Sequence, residues 1–321
     1  MLLTPATRTV LALACAVVVV DQSPAAPSQP TPPEPQIFAP GQISTGDFES
    51  HPAFADGGKT LYFLKSNLQF TWWTIVVSRL ESGAWQEPQV APFSGQYNDA
   101  DPFVTPDGSR LLFISNRPHE GTGAGRDDLD IWVMDRQGTE WGPPRRLPEP
   151  VNSPASEWFP VLTASGRLYF GSGRPGGKGK TDIYRCTLKN DTCSDPENLG
   201  DAINTPADEY EAFVTPDERT MILMSSGRPE GLGAGDLYIS TRGAEGWSKA
   251  RNLGAPINSR AFEVGPYLSA DGKELFFAST RAGDPVPADR RDYRALAQWL
   301  RGPGNGQGDI YRIELKDHLK N

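Results

Sequence analysis

Basic residues are under-represented in this 321-residue chain, which has 31 Lys and Arg against 40 Asp and Glu and a formal net charge of -9 at pH 7. Nucleic-acid binding requires the opposite balance, because clustered Lys and Arg must neutralise phosphates. Histidine and cysteine are also scarce, with three residues of each. So few nitrogen and sulfur ligands argue against a zinc centre and against Cys–His catalysis. We therefore expect no nucleic-acid partner and no zinc site.

Long apolar runs are limited to the eleven residues from Val10 to Val20, which follow a single charge at Arg8. A helix needs about 20 residues to span a bilayer. A positive start followed by about 7–15 apolar residues is instead typical of a secretory signal peptide. We predict a signal peptide over residues 1–26, a periplasmic or secreted protein, and no transmembrane segment in the mature chain. Cys15 leaves a lipoprotein as the less favoured alternative, because the apolar run continues past it.

Residues 27–36 continue a proline-rich stretch that cannot bury a core, so we predict an extended linker there. The two other cysteines, Cys186 and Cys193, are separated by six residues around a turn sequence at Asn190-Asp191. In an oxidising compartment they are expected to form a disulfide across one hairpin, the alternative being two free thiols.

Glycine and proline, in contrast, are abundant, with 33 and 30 residues, and this favours many short strands over long helices. One pattern recurs five times: an acidic residue, usually a proline three residues later, an apolar stretch, a turn and a second apolar stretch. The copies start 50 to 58 residues apart, at Glu49, Asp99, Glu157, Glu209 and Glu263. A spacing near 50 residues is close to that of four-stranded propeller blades.

Each repeat has four strand signals, and the fourth is the weakest. The second copy, from Asp99, reads DADPFVTPDGSRLLFISNR and is followed by DIWVMD, with Asp-Gly as the hairpin turn. The fifth copy lacks its fourth strand, and the matching piece, QIFAPGQISTGD, begins at Gln36. We therefore predict an all-β protein: a five-bladed β-propeller of four-stranded blades over residues 37–316, closed by the N-terminal strand, with a tail at 317–321. Closure removes exposed sheet edges.

The acidic-x-x-Pro starts, the SxDG-like turns and the SxRxxGxGxxD[IL]Y runs resemble the TolB-type, WD40-like β-propeller repeats of exported bacterial proteins. The resemblance covers nearly the whole mature chain, and it implies association with a protein or an envelope polymer without a shared catalytic residue. Related prolyl-oligopeptidase-like proteins join such a propeller to a hydrolase domain. This chain has neither room for that domain nor its G-x-S-x-G motif. Fold alone does not fix function.

The acidic residues that start the repeats, here called the ring acids, are expected around the mouth of the central channel. A repeated acid commonly caps a turn or pairs with a repeated base. Repeated arginines end the second strands, at Arg117, Arg174, Arg228 and Arg281. Repeated aspartates open the third strands, at Asp130, Asp182, Asp236 and Asp309. Because Arg can bridge two carboxylates, we predict a structural Asp–Arg–Glu cluster at one rim of each blade. The glycine runs between them predict tight loops rather than a phosphate site.

The residues two positions after the ring acids differ between blades, so we predict an asymmetric mouth of the central channel. These positions hold His51, Asp101, Phe159, Glu211 and Gly265. We select His51, Asp101 and Glu211 as candidate binding residues. If the protein is a glycosidase, its candidate catalytic carboxylates are Asp101, Glu211 and Glu157. Such an enzyme needs two carboxylates about 5–9.5 Å apart.

Blade one departs from the repeat, since it lacks the arginine and the glycine run and has Phe70, Trp72 and Trp73 instead. These aromatics predict a platform for a glycan or a peptide, or alternatively packing between blades. Blade five contains an insertion over residues 282–307. Its centre predicts a helix with Tyr293, Leu296 and Leu300 on one side, which either packs on the propeller or covers the channel.

Three functions are consistent with these features. The favoured one is a monomeric, exported, non-enzymatic propeller that binds a protein or a cell-envelope polymer without a cofactor. A glycoside-acting hydrolase and a calcium-holding propeller are the alternatives, the latter because oxygen-rich rings suit hard cations. Repetition of the ring acids in every blade favours a structural role, since catalysis needs carboxylates in unlike environments.

Overall fold

The structure is a computed structural model that describes residues 33–67, 69–120, 122–283 and 292–315. Within these ranges the chain forms five small antiparallel sheets arranged as a five-bladed β-propeller, as the repeats predicted. The predicted signal peptide, residues 27–32 of the linker, residues 284–291 of the insertion and the tail at 317–321 lie outside the described residues.

Three strands of each blade follow the repeat. The inner strands are Phe48–Ala55, Asp99–Val104, Glu157–Leu162, Asp208–Val214 and Glu263–Leu268. The second strands are Thr60–Ser66, Arg110–Ser115, Arg167–Ser172, Thr220–Ser226 and Glu274–Ser279. The third strands are Trp73–Glu81, Asp130–Gln137, Asp182–Lys189, Asp236–Gly243 and Asp309–Glu314. A 3-10 turn, Asp56–Gly58, joins the first two strands of blade one.

The fourth strand of blades one to four is broken into two short pieces that both pair with the third strand. The pieces are Ala84–Trp85 and Gln89–Val90, Glu140–Trp141 and Arg145–Arg146, Thr192–Cys193 and Glu197–Asn198, and Gly246–Trp247 and Arg251–Asn252. In three of these blades the gap contains proline, at Pro88, Pro143-Pro144 and Pro196. Proline cannot donate to the ladder, which explains why the fourth-strand signal is weak.

The N-terminal segment supplies the fourth strand of blade five. Gln36–Ile37 pairs antiparallel with Asp309–Glu314, and the amide of Phe38 donates to the carbonyl of Ile310 over 2.7 Å. Ser44 Oγ lies 3.1 Å from the Ile310 amide nitrogen and 3.2 Å from its carbonyl oxygen. Phe38 and Ile43 are buried. The predicted closure of the ring is therefore present.

The core lies between neighbouring blades. The middle of each second strand carries a fully buried large side chain, at Phe63, Phe113, Phe170, Leu223 and Phe277. Residues opposite on the third strands, such as Trp132, Tyr184 and Tyr311, face the same layer. Consecutive residues of these strands are buried, so both faces of each blade pack against the neighbouring blades.

Glu218, in the hairpin turn of blade four, ties that blade to blade three. Its buried carboxylate accepts hydrogen bonds from Arg167 and Arg242, each over 2.6 Å, and from the hydroxyls of Thr163 and Ser165. Burial raises the pKa of this carboxyl, but the hydrogen bonds from Ser165 and Arg167 outweigh it and hold the pKa at about 2. Glu218 is therefore ionised in the folded protein at neutral pH.

Glu218→Gln is expected to lower the free energy of unfolding at pH 7 by about 1–3 kcal/mol, because it removes the negative charge between two arginines and replaces one acceptor oxygen by a donating amide. The folded-state pKa lies below the usual value, so this stabilisation is present above about pH 4.5 and is lost as pH falls towards 2. Urea unfolding at pH 7 and at pH 3 measures both effects. The exposed Glu245→Gln serves as the control, and an equal midpoint for the two variants at pH 7 would contradict the inter-blade role.

Candidate functional site

A bulge near the start of each inner strand aims side chains at the propeller axis. The strand register shifts just after the ring acid in all five blades. In four blades the shifted residue precedes proline and has positive φ, at His51, Asp101, Phe159 and Gly265. Proline interrupts the ladder there, and a bulge re-aims the side chain beside it. The bulge is thus the local cause of the axial arrangement, and it accompanies an X-Pro step in four of the five blades.

His51, Asp101 and Glu211 meet at the axis, and we call them the axial triad. His51 Nε2 lies 2.9 Å from Glu211 Oε1 and 3.3 Å from Asp101 Oδ1. The amides of Phe159 and Gly265 donate to the second oxygens of Asp101 and Glu211, over 2.9 and 2.6 Å. All three residues are buried, with at most 7% of their surface exposed. One hydrogen-bonded cluster therefore joins the five blades.

The electrostatics of the axial triad favour a protonated histidine. Burial alone lowers the pKa of His51, but the carboxylates of Glu211 and Asp101 outweigh it and raise the pKa to about 9. Burial raises the pKa of Asp101 to about 6, against the opposing effect of His51. At pH 7 the imidazolium can donate from Nε2 to the carboxylates and from Nδ1 to Ser50 Oγ, 2.8 Å away.

Gly265 explains why the axial positions differ between blades. A Cβ on this residue would lie 2.8 Å from the His51 amide nitrogen and 2.9 Å from the His51 Cα. Its φ of 63° also favours glycine. Blade five therefore contributes only backbone to the axis, and the histidine of blade one occupies the space.

The ring acids do not line an open mouth, which corrects the expected arrangement. All five are fully buried, and four of them pair with the repeated arginine of their own blade. In four blades the ring acid also accepts from the residue four positions earlier, as Glu157 does from the amide and hydroxyl of Ser153. Each arginine reaches backbone carbonyls too, as Arg174 does with Val151 over 2.6 Å. The ring acids thus cap turns and pair with bases.

The aspartates that open the third strands do not contact these arginines, so the predicted Asp–Arg–Glu cluster is not formed. Asp182 accepts from the amides of Lys178 and Gly179 over 2.8 and 2.9 Å. Asp236 and Asp309 cap the corresponding glycine-rich loops, at the amides of Leu232 and Gly304. Asp130 is instead bound by Arg126, Arg146 and His119. The short glycine loop brings its own amides to the carboxylate, and the arginine is left to the ring acid.

The three carboxylates selected for a glycosidase fall into two places. Asp101 and Glu211 belong to the axial triad, whereas Glu157 binds Arg174, Ser153 and Ser172. Burial raises the pKa of Glu157 to about 7 against those hydrogen bonds. None of the three lines either of the two cavities described below.

Of the three blade-one aromatics, Trp72 alone is largely exposed, at 51%. Trp73 packs against the core, and Phe70 packs edge-on to Phe48 at a centroid distance of 4.7 Å. Trp72 borders a cavity of about 440 Å³, here called the blade-one cavity. Its other lining residues are Asp47, Phe48, Lys65, Ser66, Asn67, Gln69 and Gln307.

The larger cavity, of about 1130 Å³, opens at the opposite rim, where hairpin turns join the inner and second strands. We call it the hairpin funnel. Its aromatic lining is Phe38, Phe54, Trp85, Phe103, Phe213, Tyr267 and Phe276. Its acidic lining is Asp56, Asp107, Asp217, Asp271 and Glu274, with Arg312 as the one basic residue. This site was not predicted from the sequence, although PAFAD, PFVTPD, AFVTPD and PYLSAD contain four of its aromatics next to the turns.

The insertion in blade five contains a helix, Tyr293–Leu300, capped by the Asp292 side chain. The exposed residues include Tyr293 at 73% and Leu300, whereas Leu296 and Trp299 are partly buried. The packed side therefore differs from the predicted stripe of Tyr293, Leu296 and Leu300. After the helix, Asn305 donates to the carbonyl of Gly46 over 3.1 Å, which places the insertion beside the N-terminal segment.

Cys186 and Cys193 form the predicted disulfide. In the part of the chain that is described, no helix is long and apolar enough to cross a membrane. Nor do the described ranges contain three or more His, Cys, Asp or Glu side chains grouped to hold a metal ion. The calcium alternative stays a prediction.

The fold and these sites define a five-bladed β-propeller with a buried ionic triad on its axis and a cavity at each rim. No known protein family and no curated protein sequence matches the chain. Among solved structures it is similar to an α-L-arabinofuranosidase from Lactobacillus brevis, with 13% identity, a TM-score of 0.50, and coverage of 87% of this chain and 94% of that one.

Two further solved structures are similar over most of the chain. A candidate TolB protein of Agrobacterium tumefaciens shares 15% identity at a TM-score of 0.46, covering 84% of this chain and 90% of that one. An α-L-arabinofuranosidase from Podospora anserina shares 14% identity at a TM-score of 0.46, covering 85% and 92%. At such identities the likeness concerns the fold alone. The five-bladed propeller predicted from the repeats is confirmed by the sheets themselves.

Proposed function

We propose that this protein is an exported, non-enzymatic propeller that binds a polypeptide segment of a cell-envelope partner in the hairpin funnel. The observation that carries the proposal is the funnel itself, a solvent-open cavity of about 1130 Å³ with seven aromatic residues in its lining. Aromatic side chains dominate the binding energy of protein interfaces. Export is supported by the Cys186–Cys193 disulfide, which persists in oxidising compartments.

The acidic lining of the funnel favours a basic segment. Hydrogen bonds from Thr105 and Ser109 lower the pKa of Asp107, and one from Thr215 lowers that of Asp217, so both carboxylates are charged at pH 7. Lys and Arg side chains would meet negative charge at the rim and aromatic faces, including Trp85, below it. The net charge of -9 adds long-range attraction for such a segment.

The hydrolase alternative is less well supported, because the candidate carboxylates are already engaged. Asp101 and Glu211 share His51 and accept backbone hydrogen bonds, and both are more than nine-tenths buried. A glycosidase needs one carboxylic acid at the leaving oxygen and one carboxylate at the sugar ring or at a water. The axial triad offers neither group an approach from a described cavity.

A panel of three peptides with equal apolar content and net positive, zero or negative charge tests the proposal. The mature chain is expected to bind the basic peptide most tightly, and less tightly as salt increases. Trp85→Ala and Tyr267→Ala are each expected to weaken binding at least about tenfold, as truncation of buried interface aromatics does. Isothermal titration calorimetry measures the affinities, with Tyr293→Ala as an aromatic control outside the funnel.

Equal affinity for the acidic and basic peptides would contradict the proposal, as would an equal loss in Tyr293→Ala. Release of sugar from an arabinan or xylan panel by the wild type, abolished in Glu211→Gln, would favour the hydrolase instead. Circular dichroism of each variant separates loss of binding from loss of fold.

A further inference from the structure

The blade-one cavity exists because blade one lacks the side chains that fill this rim in the other blades. In blades two to five an arginine lies between the ring acid and an aromatic face, as Arg117 does over Phe113 at 4.9 Å. In blade two, Ser115 pairs with the ring acid Asp99, and the arginine follows two residues later. In blade one, Lys65 pairs with the ring acid Glu49. The residue two positions later, where blade two has its arginine, is therefore Asn67. In blade one, Lys65 takes the place of the arginine beside the ring acid, with its Nζ 2.7 Å from Glu49 Oε1.

The connection between the second and third strands is also shorter in blade one. It spans residues 67–72, whereas blade two uses residues 116–129 and blade five the whole insertion. The shorter connection leaves Trp72 exposed at the edge of the cavity, and Gln307 approaches it from the end of the blade-five insertion. This rim therefore has an open site at the contact between the first and last blades.

The cavity presents chemistry that suits a neutral, hydroxyl-rich ligand. Its two charged residues, Lys65 and Asp47, are paired with each other over 2.9 Å. Gln69 and Gln307 carry amides that both donate and accept hydrogen bonds. Ser66 is only 8% exposed and lines the cavity, yet among the described residues its hydroxyl has no hydrogen-bond partner. A buried hydroxyl without a partner is costly, and a ligand hydroxyl would satisfy it.

We infer that the blade-one cavity is a saccharide-binding site, with Trp72 stacking on one face of a sugar ring and the amides of Gln69 and Gln307 binding its hydroxyls. A sugar ring has an apolar C–H face and polar edges, and this matches one exposed indole beside two amides. The volume of about 440 Å³ lies within the range of about 300–1,000 Å³ typical of ligand sites. The site is separate from the hairpin funnel, so this inference does not depend on the peptide proposal.

Tetrasaccharides of N-acetylglucosamine, glucose (β-1,4) and arabinose, added separately to the mature chain, are the probes. At least one is expected to bind, detected by a change in tryptophan fluorescence and by saturation-transfer NMR. Trp72→Ala should reduce that affinity at least tenfold, and Gln307→Ala should reduce it less. Both variants should keep the wild-type melting temperature. Tyr293→Ala, another exposed aromatic outside both cavities, and Trp85→Ala, in the funnel, should bind the probe normally.

A second experiment, with purified peptidoglycan sacculi, distinguishes binding to a polymer strand from binding to a free saccharide. Sedimentation of the wild type with sacculi, prevented by Trp72→Ala, identifies a polymer strand, whereas probe binding without sedimentation identifies a free saccharide. Either result supports the site. Absence of binding to all three probes and to sacculi would overturn it, as would undiminished binding by Trp72→Ala or an equal loss in Tyr293→Ala.

Discussion

His51→Gln is expected to lower the free energy of unfolding by about 3–5 kcal/mol, the cost of removing one partner from a buried ionic cluster. Without the imidazolium, Asp101 and Glu211 remain buried near one another with no cation between them. The amides of Phe159 and Gly265 would still donate to them but would not neutralise their charge. Urea unfolding of the mature chain at pH 7 measures the change.

A matched control and a rescue sharpen this prediction. His119 also lies beside a carboxylate, 2.8 Å from Asp130, but its side chain is 45% exposed. His119→Gln should therefore cost about 0–1 kcal/mol. Adding Asp101→Asn to His51→Gln should restore part of the lost stability, because one buried charge is removed. Equal effects of the two histidine substitutions would show that the axial triad is not the central tie between blades.

The pH dependence of the free energy of unfolding, compared between the wild type and His51→Gln, tests the charge on His51. Its folded-state pKa of about 9 lies above the usual 6.5, so its stabilisation is complete below about pH 6.5 and is lost as pH rises through 9. The raised pKa of Asp101 also costs stability as pH rises, but between its usual value of 3.8 and about 6, which is below this window. The wild type should therefore lose more stability between pH 6.5 and 9.5 than His51→Gln does. Parallel curves would contradict a protonated His51.

Deletion of residues 27–44 is expected to cost at least about 5 kcal/mol and to promote aggregation. The deletion removes the buried Phe38 and Ile43, and truncation of a core Phe alone costs about 3–5 kcal/mol. It also exposes the edge of Asp309–Glu314, which can then pair with other chains. Size-exclusion chromatography and thermal unfolding measure both effects.

A shorter deletion, of residues 27–32, ends before the closing strand and should behave like the full mature chain. Should the longer deletion be insoluble, Phe38→Ala provides the same test at one position, with an expected loss of about 3–5 kcal/mol. A chain without residues 27–44 that melts like the mature protein would show that the ring does not depend on this strand.

The two proposed sites lie on opposite rims of the propeller, so a saccharide and a peptide would not compete. The blade-one cavity lies at the rim where the inner strands begin, near the ring acids. The hairpin funnel lies at the rim where the inner strands end in hairpin turns. Independent loss of one activity in Trp72→Ala and of the other in Trp85→Ala would demonstrate this separation.

The sequence alone was sufficient for the five blades, for their closure by the segment from Gln36 and for the Cys186–Cys193 bridge. Each of these depends on local or periodic features: turn residues at fixed offsets, alternation of apolar residues along strands, and a repeat of about 50 residues. His51, Asp101 and Glu211 were also selected from the sequence, because their positions break the repeat.

Tertiary structure alone decided what those residues contact. His51 and Glu211 are 160 positions apart, and only the closed ring and the bulge in each inner strand bring them to one axis. Lys65 replaces the missing arginine beside Glu49 from a different register position, and only the folded blade shows that contact. The exposure of Trp72 and the burial of Trp73 likewise depend on the neighbouring blade. Side-chain partners follow from packing between segments distant in the chain, whereas strands and turns follow from residues close together.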